Sequence, residues 1–321
     1  MKRAFVTGGS GFVGKELIAA LVARGVEVRA LARSEKAAIA VRSVGADPVR
    51  GDLASHAAMA EGMDECDVVF HAAANVQEHG KLADHMRDTV EGTKTTLSAA
   101  QAAQVKKFVH VGTEAVLADG KPIVRADETT PYPAKPAGNY PIAKGLAERA
   151  VIGANTLAFE TVSIRPRFIW GRGDTSLLPK LIEAVKKGRF GWIGGGHYLT
   201  STCHVANVVE GALLAAEKGK GGEIYFLTDG EPVDFRDFLT KYLATQGVDA
   251  SKSRDVPRWL ASTTAALTSW MKEPPVTRTA IALVGGEVTV VDAKARKELG
   301  YVGKMTREAG LAEMKPVVPA A

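Results

Sequence analysis

Apolar positions in the first half of the chain fall into short unbroken runs, separated by longer stretches in which they recur every three or four residues. "RAFVTG" (3–8), "EVRALA" (27–32), "DPVRGD" (47–52), "DVVFHA" (67–72), "KFVHVG" (107–112) and "TVSIRP" (161–166) read as strands. Between them, "FVGKELIAALVARG" (12–25) and "DTVEGTKTTLSAAQAAQV" (88–105) read as helices. Strands apolar on both faces and alternating with helices predict an α/β fold: a doubly wound, Rossmann-type parallel sheet covered on both sides. After Pro166 the pattern changes. Residues 171–202 are rich in Gly and Trp, and 229–321 mix helices with prolines. Neither stretch has enough regular pattern for a second sheet of any size. The expected organisation is a nucleotide-binding domain over 1–166, to which 202–228 returns, and a smaller substrate-binding lobe from 167–201 and 229–321.

Composition adds limits. At 321 residues, with 46% hydrophobic and 24% charged residues, the chain can bury a sizeable core. The net charge of +5 is spread along the chain, with no basic run to engage nucleic acid. Cys66 and Cys203 lack metal or redox spacing and read as unpaired thiols in a reducing compartment; no metal site is expected. "WLASTTAALTSWM" (259–271) is too short to span a bilayer, and the sequence opens on a strand-like run rather than a signal peptide. A cytoplasmic location is expected.

"VTGGSGFVG" (6–14) joins the first strand to the first helix. Gly8, Gly11 and Gly14 permit a turn tight enough for a pyrophosphate to approach the N–H groups at the helix N-terminus. At the end of the second strand, where an acid usually holds the ribose of NAD, stand Arg33 and Ser34. A guanidinium can fork onto a 2′-phosphate, so NADP(H) is expected in preference to NAD(H). The competing reading makes Arg33 a solvated strand-end residue and leaves the acid to Glu35. Asp52 ends the third strand, placed to accept from an adenine amino group, and His71 ends the fourth, as a structural histidine or a cofactor contact. Ala72, Ala73 and Ala74 are small enough to let a cofactor lie against backbone.

"NYPIAKGLAERAV" (139–151) opens a helix, with Asn139 as N-cap and Pro141 in the first turn. Tyr140 and Lys144, four residues apart, share one face. A phenol beside an ammonium titrates below its free value, which makes a proton donor usable near neutrality.

Taken together, "TGGSGFVG", "GDL", "HAAA", "VHVGTEAV", "YPIAK" and "SIRPRFIWGRGD" resemble, in order and spacing, the extended short-chain dehydrogenase/reductase family. The resemblance covers nearly the whole chain. It implies that Tyr140 is the acid/base, that Lys144 holds the nicotinamide ribose and lowers the phenol's pKa, and that the Thr113 hydroxyl holds the substrate oxygen. For Thr113 the competing reading is a loop threonine bonded to its own backbone. Motifs and resemblance together give a cofactor set of Gly8, Gly11, Phe12, Val13, Gly14, Arg33, Ser34, Asp52, Leu53, His71, Ala72, Ala73, Tyr140, Lys144 and Pro166. One departure stands out: Thr89 in "TVEGT" replaces a family Asn, so the link which that Asn supports is expected to differ.

The second half is most similar to the 3β-hydroxysteroid dehydrogenase branch and its bacterial relatives, with dihydroflavonol reductases close by. The implied reaction interconverts a secondary alcohol and a ketone on a small, largely apolar substrate. Nucleotide-sugar epimerases or dehydratases and a non-catalytic cofactor sensor are the alternatives. Substrate walls are expected from 115–138, 168–200 and 257–275, with Phe168, Trp170, Trp192, Tyr198, Trp259 and Trp270 as candidates. Family members are often dimers, which implies a homodimer through the helices at 88–105 and 140–154.

Overall fold

Seven parallel strands form the central sheet of the computed structural model, which describes residues 1–77, 80–268, 270–271 and 274–314. They are β1 (Arg3–Thr7), β2 (Glu27–Ala32), β3 (Asp47–Arg50), β4 (Val68–His71), β5 (Lys107–Val111), β6 (Glu160–Pro166) and β7 (Ile224–Leu227), in the spatial order 3-2-1-4-5-6-7. The strand order reverses at β1, and the crevice between the carboxyl ends of β1 and β4 is where such sheets bind ligands. The helices are α1 (Phe12–Ala23), α2 (Glu35–Arg42), α3 (His56–Gly62), α4 (Leu82–His85), α5 (Gly92–Ala102), α6 (Asn139–Gly153), α7 (Leu178–Lys186), α8 (Val205–Lys218), α9 (Phe235–Ala244), α10 (Arg258–Leu267), α11 (Arg278–Val284) and α12 (Arg307–Glu313).

The inner strands are largely apolar because both faces are covered. Ala4, Val6, Val68, Phe70, Val109 and Ile164 pack on one side with Leu17, Ile18 and Leu21 of α1 and Val208 and Ala212 of α8. On the other, Phe5, Val69 and Phe108 meet Met59 of α3, Leu97 and Ala100 of α5 and Val151 of α6. Burying one such side chain contributes roughly 1.5–3 kcal/mol, so these faces hold the domain together. The helix expected over 88–105 starts earlier, ends at Ala102 and includes a π-helical segment. A π-helix (Met86–Glu91) follows α4 directly and carries Thr89. There the Thr89 hydroxyl accepts from the Asn75 N–H (3.0 Å), a backbone contact held by a single oxygen.

A second sheet does form, against expectation. Its strands Val233–Asp234, Leu199–Thr200, Val288–Val290 and Ile123–Ala126 lie side by side in that order. Strands of two to four residues carry no readable alternation, and their partners lie far apart in the chain. Beside it packs an aromatic cluster of Phe168, Trp170, Trp192, Phe235, Phe238 and Tyr242. Trp170 and Trp192 are fully buried, their N–H groups donating to Asp229 (2.7 Å) and to the Ala250 carbonyl (3.1 Å). These aromatics, with Phe168 and the partly buried Tyr198, pack against one another in a buried cluster, as plain packing of such residues would have it. Trp259 and Trp270, in contrast, are exposed, with Leu260, Leu267 and Met271 beside them in sequence. Among the described residues no helix is long and apolar enough to cross a membrane. Cys66 and Cys203 are free and buried, as expected.

Candidate active site

The glycine loop makes a cradle at the carboxyl end of β1. Gly8 has φ +73°, and a Cβ there would lie 2.7 Å from the Ala73 nitrogen, against the chain that leaves β4. At Gly14 a Cβ would come within 2.2 Å of the Gly8 carbonyl oxygen, so α1 packs onto the turn only with glycine at that position. Gly11 stands at the N-cap of α1 without a side-chain cap, which leaves the first N–H groups of the helix to a ligand. Phe12 and Val13, the next two residues, are half-buried. The donor set fits a pyrophosphate.

Around the cradle the strand ends are occupied as follows. Arg33 is exposed and, among the described residues, forms no ion pair. Glu35, the competing acid, is engaged by both Arg42 (3.3 Å) and Arg50. Arg50, which pairs in register with Ala32, thereby adds a second cation to the Arg33 edge that the sequence did not disclose. Ser34 caps α2 by accepting from the Ala37 N–H (3.2 Å). Asp52 is exposed, its carboxyl held below the usual range by hydrogen bonds from Ser55 and the Ala54 N–H. Leu53 lies over Gly92 of α5. Pro166 is buried at the end of β6. The His71 ring lies inside the protein, with Nδ1 2.7 Å from Thr7 Oγ1 and Nε2 2.9 Å from Thr93 Oγ1. Burial pushes it down to about 3, which favours the neutral ring, and Ala72 and Ala73 follow it in the chain.

Helix α6 carries the candidate catalytic pair. Its N-cap is Gly138 rather than Asn139: Gly138 has φ +119°, and a Cβ there would meet Thr279 Oγ1 at 2.3 Å. Asn139 is therefore the first helical residue, and its amide donates to the Gly80 carbonyl (3.0 Å), tying the helix start to the segment after β4. Tyr140 is half-buried, its ring edge-on to His85 with centroids 6.4 Å apart. His85 is fully buried, and neither ring nitrogen has a hydrogen-bond partner among the described residues. Sequence reading passed it over because a histidine near a helix end is ordinarily solvated.

Lys144 is buried at the end of β5. Its ammonium donates to the Val111 carbonyl (2.9 Å) and lies 3.2 Å from His110 Nε2. Burial pushes it down to about 8, with Glu148 opposing. Thr113 follows β5, with its hydroxyl accepting from the Ala115 N–H (3.2 Å) and donating to Glu114 (2.8 Å). Both readings of this threonine thus have a basis: it stands where the motif requires and is also tied locally. Glu114 is itself buried and paired with Arg167 (3.1 Å).

The charge on Lys144 gives a pH prediction. With burial pushing Lys144 down to about 8, an ammonium that serves Tyr140 as the family resemblance implies would be lost as pH rises through that value. kcat/KM for ketone reduction should be level on the acid side and fall as pH rises through roughly 8. A profile still level at about pH 10 would separate Lys144 from the reaction.

Beside α6 a cleft of about 630 Å³ is lined by Val116, Tyr132, Pro141, Ile142, Leu146 and Arg149, among others. It uses the neighbouring helix face and takes in neither Tyr140 nor Lys144.

Comparison with known proteins gives the family. The sequence model of the 3-beta hydroxysteroid dehydrogenase/isomerase family matches residues 5–258. A 4-hydroxy-2-methyl-3-oxo-4-farnesyl-3,4-dihydroquinoline-1-oxide ketoreductase from Stigmatella aurantiaca is 51% identical, over 99% of this chain and 97% of that one. A decarboxylating sterol-4-alpha-carboxylate 3-dehydrogenase from Dictyostelium discoideum is 32% identical, over 98% and 100%. Among solved structures, the dTDP-glucose 4,6-dehydratase DesIV from Streptomyces venezuelae, with NAD and TYD bound, superposes with a TM-score of 0.78 at 23% identity, over 97% of this chain and 95% of that one. That last likeness is one of fold.

Proposed function

Because the chain belongs to the 3-beta hydroxysteroid dehydrogenase/isomerase family, and is an NAD(P)-dependent oxidoreductase acting on alcohol and ketone groups, we propose that it reduces a ketone on a bulky, apolar, ring-bearing substrate with NADPH. The observation that carries this reading is the placement of Lys144, buried and pinned at the end of β5, on the α6 face that also presents Tyr140.

In this reading Gly8, Gly11 and Gly14, with the N-terminus of α1, hold the pyrophosphate, and Arg33 meets the 2′-phosphate. Bound nicotinamide supplies the hydride. Tyr140 gives its phenolic proton to the substrate oxygen, and Lys144, one helical turn on, stabilises the phenolate left behind. Thr113 steadies the same oxygen once its hydroxyl turns from Glu114. Ala72 and Ala73 keep side chains out of the space beside the cradle.

Ring-and-chain substrates are supported by the 51% identical relative, whose name specifies a farnesylated dihydroquinoline. The buried aromatics of the lobe no longer serve as an argument, since they pack against one another. A nucleotide-sugar epimerase or dehydratase is the second reading, favoured only by fold likeness.

The test is consumption of NADPH with a panel: a farnesylated or alkylated quinolone ketone, a steroid-like ketone, a long-chain 3-oxo compound and a nucleotide-sugar. Turnover of the ring ketones at least tenfold faster than of the others is expected. Consumption confined to the nucleotide-sugar would overturn the substrate class, and none with any ketone would overturn the reductase reading.

A further inference from the structure

Four neighbouring strands place polar side chains side by side in the buried sheet. Thr7 of β1, His71 of β4, His110 of β5 and Ser163 of β6 are register partners in turn. All four are essentially inaccessible, on the face covered by α5 and α6. Such groups need partners, and their hydrogen bonds here leave few choices.

The choices run back from Glu148, two turns after Tyr140 on α6. Its carboxylate is fully buried and held by Arg165, with Nη2 2.6 Å from Oε1 and Nε 3.1 Å from both oxygens. It also takes the hydroxyl of Tyr132 (2.7 Å). Paired in this way, it can only accept, so the Ser163 hydroxyl donates to it (2.8 Å). The Ser163 oxygen is then an acceptor, and His110 Nδ1, 3.2 Å away, must carry the proton. That leaves the lone pair of His110 on Nε2, facing the Lys144 ammonium.

We propose that His110 is a positioning residue for Lys144, and that Glu148 acting through Ser163 fixes the imidazole tautomer that lets the buried ammonium stay charged. The inference rests on the reading of Tyr140 and Lys144 given above. With the opposite tautomer an N–H would point at the ammonium, and the buried lysine would be relieved by losing its proton.

His71 supplies an internal contrast. Its Thr93 partner donates to the Thr89 carbonyl (2.6 Å) and so accepts from Nε2–H. The two rings, 5.8 Å apart, are therefore expected as opposite tautomers. Among the described residues, Glu148 on the same helix also acts on Lys144, with Arg165 of β6 beyond Glu148, and Tyr140 stands one turn before it on α6. Burial lowers both imidazoles, which suits neutral rings throughout the working range.

The experiment combines nitrogen NMR of the cofactor-free, histidine-labelled protein with the pH profile of ketone reduction. Seven histidines make the resonances assignable by substitution. The parent should show His110 neutral with its proton on Nδ1. Ser163→Ala, which leaves Lys144 untouched, removes the acceptor that holds that proton and should raise the share of the Nε2 tautomer. It should also shift the alkaline limb acidward by roughly one pH unit, and Ser163→Thr should restore both. If Ser163→Ala does not fold, His110→Leu is the second variant. It lacks the acceptor and should show the same shift of the limb, whereas His110→Gln, whose amide oxygen can accept, should not. A parent with the proton on Nε2, or a limb unmoved in the Ser163→Ala or His110→Leu protein, overturns the proposal. Tyr140→Phe separates the levels. If it remains active, the reading of the site fails; if it is inactive while the limb stays fixed in Ser163→Ala, only the role of His110 fails.

Discussion

Tyr140→Phe is expected to yield a folded protein that still binds cofactor but turns over ketone about 10²-fold more slowly, or worse. The substitution removes one oxygen and keeps the ring, so the edge-on packing against His85 survives. Nothing in the glycine cradle changes. What disappears is the proton donor to the forming alkoxide, and water cannot readily replace it in a half-buried position beside a buried lysine. The loss should fall on kcat, with KM for the cofactor within a few-fold of the parent. Measuring both by NADPH oxidation, alongside cofactor binding by fluorescence, checks the assignment. Turnover within about threefold of the parent would remove Tyr140 from the chemistry.

Arg33→Asp is expected to reverse cofactor preference. The 2′-phosphate of NADP carries nearly two negative charges at pH 7, where NAD has a hydroxyl. Hydrogen bonds to a charged group contribute about 1.5–3 kcal/mol, a ten- to hundred-fold preference for the phosphorylated cofactor. The structure strengthens the case: Arg33 is exposed, while Glu35 is committed to Arg42 and Arg50. A carboxylate at position 33 would repel the phosphate and accept from the ribose hydroxyls of NAD. Arg50 should soften the reversal, since a cation remains at the edge. Affinities for NADPH and NADH at one fixed salt concentration decide the matter, because screening changes such contacts. Equal affinities in the parent would make Arg33 a solvated strand-end residue after all.

The central sheet was legible because its strands are apolar on both faces and its helices recur between them. Arg3–Thr7 and Glu27–Ala32 match the expected runs to within a residue. The cradle was legible because its glycines recur at short spacing in one loop between the first strand and the first helix. Pairings made across the sheet were not. Glu35 looked like a candidate ribose ligand until β3 brought Arg50 beside it. Asn139 looked like a cap because the chain alone does not tell that Thr279, far along the sequence, presses on Gly138. The aromatics of 168–200 were indistinguishable from pocket walls, since burial in a core and burial against a ligand use the same residues. Two signals were available in hindsight. His110 is a polar residue inside an apolar strand, and Glu148 extends the stripe of Tyr140 and Lys144 by another turn of helix.

The second sheet sets a timetable for folding. Ile123, between Thr113 and Tyr140 in the chain, pairs with Val288, a separation of 288 − 123 = 165 residues. Loop closure over such a distance is slow, and a chain emerging from the ribosome cannot form this pair until Val288 has been made. The strands and helices around the cradle, including α8 packed on α1, all precede Val288 in the chain and can assemble earlier. The segment joining Thr113 to α6 is clamped last, so a nascent or C-terminally truncated chain would hold a formed cradle beside an unfinished catalytic wall.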